Sequence, residues 1–114
     1  MRTELIIGFT VDGFHCWPDA PDKYIEFRTR HRHLFKITCF VPTSEGEYNN
    51  PTRREIEFWE HTRTIQEWIK TRFGSPAEFS SLSCEGIADT LLRAFHCTKV
   101  FVGEEDNLGA IVYG

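Results

Sequence analysis

Three histidines carry the chemistry this sequence suggests. His31 and His33 stand two apart in a run, His31 to Val41, that reads as a β-strand closed by Pro42. Residues i and i+2 of a strand share a face, so both imidazoles project together. His15 ends the preceding strand-like segment, Thr3 to Phe14, and a hairpin brings it alongside the pair. Three imidazoles on one side of a sheet make an open, catalytic-type zinc site, with the fourth position left for water or substrate. The plain alternative is a solvated strand face, because His-x-His pairs are common there and Arg32 separates these two. His61 and His96 have no partners by spacing and read as an ordinary helix or helix-end histidine each.

The elements that must position these rings can be read from hydrophobic periodicity. Leu5, Ile7 and Phe9 alternate with Ile6, Gly8 and Thr10, as in a sheet with one buried face. A turn-rich loop, Trp17 to Asp22, leads toward the second strand. Residues 44–52 read as a loop and Glu55–Phe58 as a brief strand or bridge. Ile65, Trp68, Ile69 and Phe73 form one face of a helix over Glu60–Arg72, stopped by Gly74. A second helix starts near Ser83, a natural N-cap, with Ile87, Leu91, Leu92 and Phe95 as its apolar stripe. Thr98–Val102 and Gly109–Tyr113 complete the order as two further strands. Helices grouped between antiparallel hairpins indicate an α+β sandwich with helices on one sheet face.

Composition narrows the function. The 114 residues form a single domain, 1–114, and 40% hydrophobic residues suffice for a core. A formal charge of −4 argues against a nucleic-acid binder, which needs a basic stripe. No apolar run is long enough to cross a bilayer, and Met1–Glu4 has no signal-peptide pattern, so a cytoplasmic protein is expected. Cys16, Cys39, Cys84 and Cys97 contain no C-x-x-C pair and read as reduced thiols, Cys39 in the core.

In this order the residues resemble the 6-pyruvoyl tetrahydropterin synthase and 6-carboxytetrahydropterin synthase family. His15 after the first strand and His31-Arg32-His33 on the second match that family's zinc histidines, with Arg32 in place of a glycine. Glu55-Ile56-Glu57-Phe58 is similar to its hydrophobic-Asp-Phe element. Leu82-Ser83-Cys84-Glu85 is similar to its P-T-x-E helix start, which makes Glu85 a substrate-binding candidate. Val100-Phe101-Val102-Gly103-Glu104 matches the strand ending in a glutamate that anchors the pterin ring, with Glu105 as the competing choice. The similarity runs from about Leu5 to Tyr113.

The resemblance implies a tunnelling fold (T-fold): a four-stranded antiparallel sheet with two helices on one face. Three subunits join sheets into a barrel, and two trimers stack into a homohexamer with active sites between subunits. It implies a Zn2+-dependent lyase acting on dihydroneopterin triphosphate, in the route to 7-deazaguanines (queuosine biosynthesis) or tetrahydropterins. His15, His31 and His33 are its metal ligands and Glu104 its pterin anchor. Two of the family's parts are missing. The stretch before His31 has no cysteine, and Glu26 is the stand-in for the catalytic residue, with a solvated loop carboxylate as its plain reading. The region after the first helix lacks the family's Asp-His pair. Cys16, adjacent to His15 on a strand, is expected to point away from the metal, the alternative being an inward thiol with its pKa lowered by zinc; Cys84 is expected to be a small buried apolar residue, the alternative being a thiol that reaches the pocket. Arg28, Arg30 and Arg32 alternate, and an extended chain puts them on one basic face. The alternative function is a non-catalytic T-fold protein that binds a pterin, purine or nucleotide. A structural α+β domain with no ligand is the third reading.

Overall fold

Two long strands form the frame. β1 (Thr3–His15) and β2 (His31–Thr43) pair antiparallel along their whole length, from Thr3 opposite Thr43 to His15 opposite His31. The strand period places Leu5, Ile7, Phe35, Ile37, Cys39 and Val41 on one face, where they are buried. In this computed structural model, which describes residues 3–43, 51–52 and 54–114, that face packs against two helices, α1 (Ile56–Phe73) and α2 (Cys84–Phe95). Ile65 and Ile69 of α1 and Ile87, Ala88 and Leu91 of α2 complete the core. The opposite face is bare, with Ile6, Leu34, Ile111 and Tyr113 exposed.

Among the described residues the sheet is five-stranded and open, with β3 (Ala77–Glu78), β4 (Lys99–Gly103) and β5 (Gly109–Tyr113) in the order β3-β1-β2-β4-β5. The four longer strands run antiparallel, as expected, but the count of four is corrected by β3, which pairs parallel with Gly13 and Phe14 of β1. Gly13 permits this approach: a Cβ there would lie 3.0 Å from the Ala77 carbonyl oxygen. A two-residue strand has too little alternation to be seen in sequence. The architecture is α+β, with a short 3-10 helix at Asp22–Arg28 as its third helix.

Several local expectations are borne out. Ser83 caps α2, its hydroxyl accepting the Gly86 N–H at 3.1 Å. Gly74 ends α1 at φ 91°, its N–H donated to the Lys70 carbonyl at 2.9 Å. Others are corrected. Glu55–Phe58 is not a strand; α1 begins at Ile56. The alternation there has inverted polarity, with Ile56 46% exposed and Glu57 only 6% exposed, beside His61 one helical turn on. Pro42 does not close β2, which runs on to Thr43. It lies beyond Phe40, the last residue paired with β4, where the strand has a neighbour on one side only. Of the expected loop at 44–52, residues 44–50 lie outside the described residues. Among the described residues no helix is long and apolar enough to cross a membrane.

Candidate metal centre

The β1–β2 register decides the site. His15 stands directly opposite His31, and His33 faces Gly13 two positions along. All three share the parity of Phe35, so they continue the core-facing rows to the open end of the hairpin. Their ring centroids are 4.5 Å (His15–His31), 5.2 Å (His15–His33) and 5.0 Å (His31–His33) apart. Phe35 forms the floor, edge-on to His15 at 5.1 Å and to His33 at 5.6 Å. One nitrogen from each ring lies within 4.8 Å of the other two, a set that can hold a metal ion.

Hydrogen bonding fixes which nitrogen that is. His15 Nδ1 lies 3.0 Å from the Leu82 carbonyl oxygen, and His31 Nδ1 lies 3.0 Å from that of Thr29. His33 Nδ1 lies 3.1 Å from a Glu105 carboxylate oxygen. A carbonyl oxygen only accepts, so each Nδ1 carries the proton and donates it. In the neutral ring this tautomer leaves the Nε2 lone pair for a metal. Outer partners of this kind orient metal-binding histidines and raise their basicity. Burial, reinforced by the neighbouring His31 and His33, pulls the His15 pKa below the usual histidine value, against the opposing pull of the Leu82 hydrogen bond and Glu104. A shift in this direction favours the neutral ring, the form that binds a metal. The donor set therefore fits a divalent metal of the kind imidazole favours.

Beside the histidines opens a cavity of about 520 Å³. Its walls include Trp17, Phe27, Cys84, Glu104, Asp106 and Leu108. Glu104, the first residue after β4, brings a carboxylate oxygen to 3.4 Å from His15 Nε2 and 3.4 Å from His33 Nε2. Of the sequence candidates, the histidines and Glu104 thus come together. Glu105 turns outward and supports His33 from behind. Glu85 is exposed on the first turn of α2 and lines a shallower depression with Ser83 and Glu104. Glu26 is exposed on the 3-10 helix and is not among the residues lining the histidine cavity.

For both cysteines near the site the favoured expectation is corrected and the pocket-facing alternative is the one found. Cys16 lines the cavity with His15, because β1 ends at His15 and strand alternation ends with it. Its N–H bonds to the Ser80 carbonyl at 2.8 Å instead. Cys84 is half-buried on the cavity wall, and burial, with Glu104 and Asp106 adding to it, pushes its thiol up to about 11. The arginine face does not form, since Arg28 is helical. Arg28 pairs with Asp22, Arg30 with Glu78 and Arg32 with Asp12. Sequence reasoning missed Trp17, Phe27 and Asp106. Trp17 and Phe27 had a signal, being aromatic residues in polar loop sequence close to His15 and His31. Trp17, Tyr24 and Phe27 stack in series, and Phe27 meets the His31 ring at 5.7 Å.

No protein-family model matches the chain, and no curated protein matches it in sequence.

Proposed function

We propose that this chain is a zinc-dependent enzyme acting on a reduced pterin, a lyase of the 6-pyruvoyl/6-carboxytetrahydropterin synthase kind on a tunnelling fold. The observation that carries the reading is the convergence of three imidazoles, one nitrogen of each within 4.8 Å of the other two and each Nδ1 tied to an acceptor, at a cavity large enough for a bicyclic heterocycle. His15, His31 and His33 would hold the metal, which when bound polarises the oxygens of a substrate side chain. Trp17 and Phe27 offer flat apolar surface to a planar ring. The Glu104 carboxylate is placed to accept N–H bonds from a pyrimidine edge. The bare sheet face and the free edge of β5 suit assembly into a closed barrel, which would remove the edge.

The test is elemental analysis followed by turnover. Purified protein is expected to carry about one zinc per chain, lost in His31→Ala and His33→Ala, and to convert dihydroneopterin triphosphate. Metal-free protein that never takes up zinc would sink the reading. Light scattering is expected to give a trimer or hexamer, and a monomeric mass would remove the barrel from it. A second reading, a non-catalytic binder of a pterin, purine or nucleotide, is favoured by one observation. Glu26 is not among the cavity-lining residues, and no histidine beyond the three metal candidates lines it among the described residues. That reading predicts ligand capture with no product formed.

A further inference from the structure

The cavity beside the histidines changes character from its inner end to its opening. His15, at the inner end, is buried. At the opening Trp17, Phe27 and Leu108 line the cavity and are exposed to solvent. Apolar side chains gathered at one opening form a surface that gains by being covered. The remaining exposed wall residues are Ser81, Ser83 and Asp106, two hydroxyls and a carboxylate. The aromatic part of the opening is held in place. The Trp17 N–H is donated to the Phe27 carbonyl at 2.7 Å, which ties the two wall residues together through their backbones. Tyr24 stacks on both, 6.5 Å from Trp17 with planes 24° apart and 6.0 Å from Phe27 with planes 20° apart. A surface already ordered loses little freedom when a ligand covers it.

The cations close by in sequence are committed elsewhere. Arg28, next to Phe27, donates to the Ala20 carbonyl at 2.6 Å and to Asp22 at 2.9 Å. Arg30 pairs with Glu78 and lies 3.4 Å from the centre of the Phe14 ring. Arg32 grips Asp12 through two hydrogen bonds of 2.7 and 2.8 Å. Among the described residues no lysine or arginine lines the cavity. A phosphate laid against an indole, a phenyl ring and a carboxylate gives up hydration and gains no ion pair in return.

We infer that this site selects a ligand whose side chain carries no phosphate, with Trp17, Phe27 and Leu108 setting that specificity. The inference rests on the pterin reading above and narrows it to a substrate class. Among reduced pterins, 7,8-dihydroneopterin with its short hydroxylated chain is preferred to its triphosphate. Ser81, Ser83 and Asp106 offer partners to the hydroxyls of that chain, while Trp17 and Phe27 cover apolar surface of the ring.

Titration calorimetry on protein supplied with zinc compares the two ligands directly. Dihydroneopterin is expected to bind at least about 10-fold more tightly than dihydroneopterin triphosphate. Trp17→Ala is expected to weaken dihydroneopterin binding roughly 10-fold, the loss of one stacking surface. Leu108→Lys places an ammonium group at the opening on an already exposed side chain, and is expected to shift the preference toward the triphosphate by about 10-fold. Equal or tighter binding of the triphosphate by the wild type would overturn the inference and leave the pterin reading standing. An unaltered preference in Leu108→Lys would overturn it as well, since the end of the chain would then lie away from the opening. Binding of neither pterin would overturn both.

Discussion

Glu105 shows how much of this centre rests on groups that never touch a metal. Its carboxylate accepts from His33 Nδ1 at 3.1 Å and from the Leu34 N–H at 2.9 Å, so one side chain sets both the ring and the strand that carries it. Replacing it with alanine leaves His33 free to rotate and to exchange its tautomer. Glu105→Ala is expected to weaken zinc binding roughly 10–100-fold in a chelator competition, with the fold intact by circular dichroism. An unchanged affinity would show that His33 is held by other means. The histidines themselves were legible in the sequence, because strand parity and one hairpin suffice to place them. The division of labour between Glu104 and Glu105 was not. Adjacent residues after a strand end point wherever the turn sends them, and no periodicity encodes that. Cys16 was misplaced for the same reason, one residue past the end of β1.

At the level of elements, the β4–β5 hairpin is what delivers Glu104. Its turn closes through the Asn107 N–H, donated to the Glu104 carbonyl at 3.0 Å, and Asn107 adopts the left-handed conformation at φ 67° that asparagine tolerates. Gly109 opposite Gly103 lets the strands meet: a Cβ on Gly109 would lie 2.3 Å from the Val102 carbonyl oxygen and 2.5 Å from the Gly103 Cα. Both obstacles are backbone, so the hairpin itself must shift. Gly109→Ala is expected to lower stability by about 1–3 kcal/mol in denaturant titration and to weaken pterin capture by moving Glu104. Wild-type values for both would show that the turn does not position the site. β5 was legible to the residue, its alternation being bounded by a glycine. The first turn of α1 was not, since a buried glutamate beside an exposed isoleucine reverses the pattern on which the assignment depended.

Across the whole molecule, one face of the sheet holds the core and the three-histidine cluster together. Leu5 to Val41 fill its middle beneath the helices, and the histidines occupy its end, with Phe35 touching both. The α+β layering followed from periodicity and element order. The barrel rests on the family resemblance, because the residues on the bare face (Ile6, Leu34, Ile111, Tyr113) would also read in sequence as ordinary strand alternation.

The shared parity of His33 and Phe35 has an evolutionary consequence. The rows that run through Ile37 and Phe35 would continue as apolar side chains if selection acted on stability alone, and the hairpin end would become more core. Imidazoles there forgo that apolar burial, the kind of exchange of stability for function that a binding site makes. His33→Leu abolishes metal binding in this account, yet the metal-free variant should be more stable than metal-free wild type by roughly 1 kcal/mol, through the apolar surface it adds beside Phe35. Thermal unfolding in chelator measures the difference, and a lower midpoint for the variant would mean that His33 is there for the fold.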